Sequence, residues 1–321
     1  MAAPTAGIFV LIIAECDRHP RPADSGDTDT MPSDRRTSRS APPEQESRQT
    51  APPSGGRQGG FGPFVTFIEY ERPDGLVARW DSRRQRKHVQ SAPSEAGAWW
   101  APRARGWWIA ILFAVGSALF ALGAVPGYAG AVGARVDSVT FFVGSLFFTS
   151  AGFLQYRESV DAGVGGPAHG WQRVFTYQPQ QIDWWASGIQ LVGTLFFNVS
   201  TGNAVRISLS TQGAQHHIWR PDAIGSVCFL VASGMAWFEV CNGWTAWSPS
   251  SISWWITALN LVGSVAFGAS AVASYIVPST GQIWHVELSN LGTFVGALCF
   301  LGGALLLLPE RTEGAAVPAA P

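Results

Sequence analysis

Charge is what this sequence runs short of once its first third is past. Fifteen of its 21 Lys and Arg precede residue 106, and only six are spread over the rest. A net charge of −1 gives no global attraction to nucleic acid, and no nucleic-acid-binding motif accompanies it. Cysteine is scarce as well: Cys16, Cys228, Cys241 and Cys299, with no C-x-x-C pair. That spacing offers no disulfide or zinc framework, and thiols inside apolar blocks read as small hydrophobes. Nucleophile and phosphate motifs are missing too. No Gly-x-Ser-x-Gly elbow occurs, and Gly163-Val-Gly-Gly166 lacks the Lys-Ser or Lys-Thr of a phosphate loop. The sequence therefore implies no cofactor, no metal and no enzyme chemistry.

What is abundant is apolar surface in blocks. The 15 tryptophans suit a membrane interface. The apolar run Gly7 to Ala14 has no basic flank and is too short to span, so a signal peptide is not expected, and Met31 is an alternative start. Residues 16–60 are rich in Pro, Ser, Arg and Asp, so the leader 1–60 is expected to be disordered. Phe64 to Tyr70 and Leu76 to Trp80 are β-prone runs around the turn signal Arg72-Pro-Asp-Gly75, which predicts a small β-hairpin. Asp81-Ser82 can cap a basic helix over Arg83, Arg84, Arg86 and Lys87. The hairpin and this juxtamembrane segment occupy 61–106.

Six apolar segments follow, at about 107–125, 138–156, 184–203, 222–241, 252–277 and 288–308. Each is near the ~20 residues that span a bilayer. Pro126, Pro221, Pro278 and Pro309 mark segment ends. All six align on one glycine: Gly116, Gly144, Gly193, Gly225, Gly263 and Gly296. A small residue follows each glycine, a phenylalanine stands at +4 in every copy (Phe120, Phe148, Phe197, Phe229, Phe267, Phe300), and small residues return at +7 and +8. At 3.6 residues per turn the small positions share about a third of the helix surface. Such a stripe lets backbones approach closely, the main source of helix association in lipid.

A longer period overlies this one. Trp107-Trp108, Trp184-Trp185 and Trp254-Trp255 open the odd segments, nine residues before the glycine. Glu158, Glu239 and Glu310 close the even ones, at +14. The sequence thus predicts an all-α membrane domain over 107–310, six transmembrane helices as three tandem two-helix repeats, with a short tail at 311–321. The positive charge before the first segment places the N-terminus in the cytoplasm of a cell-membrane protein, and six spans return the C-terminus there. The tryptophan pairs, the three acids and the β-hairpin then share the cytoplasmic side.

Several polar residues are candidates for function. Glu158, Glu239 and Glu310 are interfacial helix ends, or a threefold acidic ring of the kind that selects cations. Gln190 and Asn260, three residues before their glycines, serve interhelical hydrogen bonding or a polar ion pathway; Phe113 replaces them in the first unit. His216, His217, His285 and Glu287 share the predicted outer face without metal-ligand spacing. Arg83, Arg84, Arg86 and Lys87 either fix topology or attract anionic lipid headgroups at about 1 kcal/mol per charge.

The Trp-Trp and Val-Gly-Ser-x-x-Phe hairpins carry a resemblance. Blocks such as Ser253-Trp-Trp-Ile-Thr-Ala-Leu-Asn-Leu-Val-Gly-Ser-Val-Ala-Phe267 and Gly292-Thr-Phe-Val-Gly-Ala-Leu-Cys-Phe300 look like uncharacterised integral membrane proteins of actinobacteria. The two-helix unit also resembles the YrhK-like domain family. The likeness covers about 107–310 and implies neither a reaction nor a substrate. The sequence reading is a non-enzymatic membrane-organising or interaction protein in the lipid bilayer, with oligomers possible. Its alternative is a small cation channel or transporter using Glu158, Glu239 and Glu310.

Overall fold

The computed structural model describes residues 56–60, 62–71, 77–88, 100–163, 176–206, 211–243 and 247–310. The expected leader up to residue 55, the turn signal Arg72 to Gly75 and the tail at 311–321 lie outside the described residues. The expected hairpin is present as β2 (Phe67–Glu71) and β3 (Val77–Asp81), paired antiparallel with Ile68 opposite Trp80. Across that pair Arg79 faces Glu69, and its guanidinium lies 4.2 Å from the centre of the Phe67 ring.

The sheet has a third strand that the sequence reading assigned to the leader. β1 (Arg57–Gly59) pairs antiparallel with β2, Arg57 opposite Glu69. A leader drawn as disordered through residue 60 is therefore too long. Arg-Gln-Gly has no β-branched or aromatic residue to signal a strand, and backbone pairing alone recruits it. Strand β3 runs straight into α1 (Ser82–His88), whose first amide donates to the Thr66 carbonyl at 3.0 Å.

Six long helices follow: α2 (Arg105–Gly123), α3 (Ala134–Gly163), α4 (Ile182–Ala204), α5 (Arg220–Cys241), α6 (Ile252–Ala273) and α7 (Val286–Glu310). Five are long and apolar enough to cross a membrane, α5 together with the helical turns from Thr211 that precede it. These five make the chain a multi-pass membrane protein. Helix α4 is not among them: Asp183, Gln190, Asn198 and Asn203 dilute its apolar character.

Helix ends follow local chemistry. Pro221 sits in the first turn of α5, where a missing N–H is harmless. Helix α6 stops at Ala273, short of the expected 277, because the chain turns into a bridge between Ile276 and Ile283. Gly281 makes that turn possible at φ 70°, donating to the Val277 carbonyl at 2.8 Å. Pro309 lies inside the last turn of α7 rather than beyond it.

The long helices pack as a closed ring in chain order, with α7 returning against α2. Within the pairs α2–α3, α4–α5 and α6–α7 the reference glycines face each other. A Cβ placed on Gly116 would lie 3.0 Å from the Gly144 carbonyl, and one on Gly144 would lie 3.2 Å from the Gly116 carbonyl. The same reciprocal approach joins Gly193 to Gly225 at 3.1 Å both ways, and Gly263 to Gly296 at 3.1 and 2.9 Å. Each glycine also receives the +4 phenylalanine of its partner helix, as Gly116 receives Phe148 and Gly144 receives Phe120.

Those six rings meet at the centre. Phe120–Phe148, Phe197–Phe229 and Phe267–Phe300 have centroids 5.4, 5.2 and 5.2 Å apart. Phe120–Phe267, Phe148–Phe229 and Phe148–Phe300 join the pairs at 6.0, 6.2 and 6.1 Å. All six are buried, and five of the six residues following the reference glycines pack with them as fully enclosed small side chains. The stripe thus acts through helix pairs, and its product is an aromatic layer across the axis of the ring.

Candidate functional site

Helix α1 contains only polar and basic residues, yet most of its basic face is buried. Positions 83, 86 and 87 lie on one side of a helix, and each meets a different one of the three repeated acids. Arg83 clamps Glu310 with two bonds, Nε–Oε1 at 2.7 Å and Nη2–Oε2 at 3.2 Å. Arg86 clamps Glu239 through Nη1 at 3.0 Å and Nη2 at 3.2 Å. Lys87 Nζ donates to Glu158 Oε2 at 2.7 Å. The acids sit at the ends of α7, α5 and α3, so one turn of helix bridges all three helix pairs. Arg84 points away and is exposed.

Hydroxyls complete the layer. Ser82 Oγ donates to Glu239 at 2.8 Å, and Ser253 Oγ donates to Glu310 at 2.6 Å. A fourth carboxylate joins: Asp183, at the start of α4, lies 2.8 Å from Arg86 Nη1. The layer therefore sets three cations against four carboxylates, all with little solvent exposure. Burial works against each guanidinium. For Arg83 the facing Glu310 outweighs it, and for Arg86 the facing Asp183 and Glu239 do, so both are held above the ordinary arginine value. The sheet is tied to the same end by Thr66, whose hydroxyl donates to the side chain of Asn242, the left-handed residue capping α5. Beside the layer, Arg105 pairs with Asp161 at 2.5 Å.

Beneath α1 lies a cavity of about 60 Å³, enough for a few waters. Gln155, Gln190, Asn260, Ser233 and Thr257 give it polar walls. Arg83, Arg86 and Lys87 border it toward α1, while Phe113 and Phe300 border it toward the aromatic layer. The structure thus brings Glu158, Glu239, Gln190 and Asn260 onto one cavity, joins Glu310 to it through Arg83, and adds Arg83, Arg86 and Lys87 as the partners of the acids. Phe113 lines the same cavity, as its place in the alignment suggests.

Other candidates lie apart. His216 and His217 occupy a π-helical turn, Gln215–Trp219, and His285 stacks on Trp284. No group of three His, Cys, Asp or Glu side chains able to hold a metal comes together among the described residues. Cys241 is buried, and Cys228 and Cys299 pack beside Gly193 and Gly263.

Two features escape a reading by motif. Asp183 has no acidic counterpart in the other odd helices, where Gly106 and Ser253 stand. The second is a collar before each tryptophan pair: Trp100-Ala-Pro102, Tyr177-Gln-Pro179 and Trp247-Ser-Pro249, seven residues ahead of the first Trp. The second Trp of each pair donates its indole N–H to that proline's carbonyl, at 2.8, 3.2 and 2.9 Å for Trp108, Trp185 and Trp255. The leading aromatic packs edge-on against the first Trp, at 5.1, 5.4 and 4.9 Å between centroids. The aromatic-x-Pro spacing was there to be found in the sequence.

Chemically, the site neutralises buried charge at one end of the ring and encloses a small polar space behind it. No family model, no curated protein and no solved structure matches this chain.

Proposed function

We propose that this membrane protein is a non-enzymatic organising or interaction protein of the cell membrane. In this reading it has six spans, arranged as three tandem two-helix repeats, with both termini in the cytoplasm. The sheet and α1 then form a cytoplasmic module seated on the bundle. The pairing of every repeated acid with a cation of α1 carries the reading, because it spends the ionisable groups on holding parts together. Three further facts support it: the glycine contacts, the Phe–Phe pairs of the aromatic layer and the Trp–Pro collars each occur three times in the same relation. The hairpin is proposed as a unit akin to those of the actinobacterial and YrhK-like groups. Of the basic run expected to attract anionic headgroups, Arg83, Arg86 and Lys87 are paired with carboxylates, which leaves the headgroup role to the exposed Arg84.

The second reading is a small cation channel or transporter using Glu158, Glu239 and Glu310, with Gln190 and Asn260 along its path. The polar cavity behind α1 favours it. Ion flux in proteoliposomes separates the two. The organising role expects none from the intact chain. Flux that vanishes in E158Q/E239Q/E310Q overturns it in favour of transport. Reporter fusions in 126–136 should read as outside, and a cytoplasmic signal there would reverse the proposed orientation.

A further inference from the structure

We propose that α1 is a detachable plug, an autoinhibitory contact that closes the vestibule lined by Glu158, Asp183 and Glu239, with Glu310 held beside it by Arg83. The first ground is how α1 is held. Its seven residues, Ser-Arg-Arg-Gln-Arg-Lys-His, bring no apolar side chain, so its seat gains almost nothing from hydrophobic burial. Its contacts to the bundle are ionic and polar: Arg83 with Glu310, Arg86 with Glu239 and Asp183, Lys87 with Glu158, and the Ser82–Glu239 bond. Buried ion pairs roughly balance Coulomb gain against desolvation. Undocking returns both partners to water, which keeps docked and undocked states close in free energy.

The second ground is what α1 covers. The centre of the ring is a packed aromatic layer, whereas the space behind α1 has Gln155, Gln190, Asn260, Ser233 and Thr257 on its walls beside apolar neighbours such as Ile109 and Ile256. The third ground is charge. With α1 seated, three cations oppose four carboxylates; with α1 withdrawn, Glu158, Asp183 and Glu239 line an open mouth and Glu310 lies beside it, all four without their cations. Ligands drawn to that mouth are cationic, of the chemistry that the arginine and lysine heads supply while docked. The inference rests on the docked module of the proposed function. It does not require that ions cross, because the aromatic layer lies beyond the vestibule.

Cysteine accessibility tests it. In the full-length chain with Cys16, Cys228, Cys241 and Cys299 replaced by Ala, N260C places a thiol on the vestibule wall. A trimethylammonium thiol reagent is applied to the protein in detergent micelles. The thiol should react slowly beneath intact α1 and about tenfold faster in R83Q/R86Q/K87Q, the change expected if the open fraction rises from roughly 1 to 10%. Should the triple variant misfold, charge exchange decides. K87E should expose the thiol, and K87E/E158K should protect it again. Equal reactivity with and without the three cations, or in K87E and K87E/E158K, would overturn the plug. Flux is not read here, so the transport reading can fail without touching this result.

Discussion

Replacing Gly296 with alanine tests whether the small-residue stripe works by backbone approach. The added methyl would stand 2.9 Å from the Gly263 carbonyl and 2.3 Å from Cδ1 of Phe267. Neither neighbour can withdraw freely. The carbonyl belongs to the α6 backbone, and the Phe267 ring is held by Phe120, Phe197 and Phe300 at 6.0, 6.0 and 5.2 Å. Overpacking of this kind costs about 1–3 kcal/mol, and the higher helix propensity of alanine returns about 1 kcal/mol. Gly268 and Gly234 are the controls: each is interior to its helix, and a methyl there meets nothing within 4 Å. G268A and G234A should be neutral or slightly stabilised. G296A should fall below them by about 1–3 kcal/mol. Unfolding in mixed detergent micelles, followed by tryptophan fluorescence, measures the difference. Equal stability of G296A and G268A would refute close approach as the purpose of the stripe.

Two other perturbations bear on the site. Removing Glu310 by E310A leaves Arg83 without its acid, which costs at most about 3 kcal/mol because undocking of α1 relieves any larger penalty; R83A/E310A should recover most of that loss in the same unfolding assay, and no recovery would argue that the pair is not formed. W255F removes the indole bond to the Pro249 carbonyl, at 2.9 Å, and should cost about 1 kcal/mol; hydrogen exchange should then quicken in the first turn of α6, and unchanged exchange would deny the collar any role in fixing that end.

The close packing of the helices was legible because its cause is local and repeated, whereas the closed ring was not foreseen. Gly116 and its five counterparts state a close approach in sequence, and phenylalanine at +4 states what fills the space. What the stripe does not state is the partner. Phe148 fills the notch at Gly116, and Phe120 the notch at Gly144, a reciprocity that exists only once antiparallel helices are paired. The acids were legible as a set of three, and their meaning was not. Glu310 meets a cation 227 positions away and Glu158 one 71 positions away, separations over which no pattern in the chain carries pairing. Arg83, Arg86 and Lys87 read equally well as topology signals, since surface and buried arginines look alike in sequence. Strand β1 was hidden for the opposite reason: it contributes backbone and almost no side-chain preference.

The closed ring also imposes an order on how this protein can be made. Lys87 can find Glu158 once α3 exists, and Arg86 can find Glu239 once α5 exists. Arg83 must wait for Glu310, in the last turn of α7, the helix that also shuts the ring against α2. A chain halted before α7 would keep one arginine without its acid and one flank of α2 without its neighbour. The arrival of α7 thereby makes two closures at once, an ionic one at α1 and an apolar one against α2.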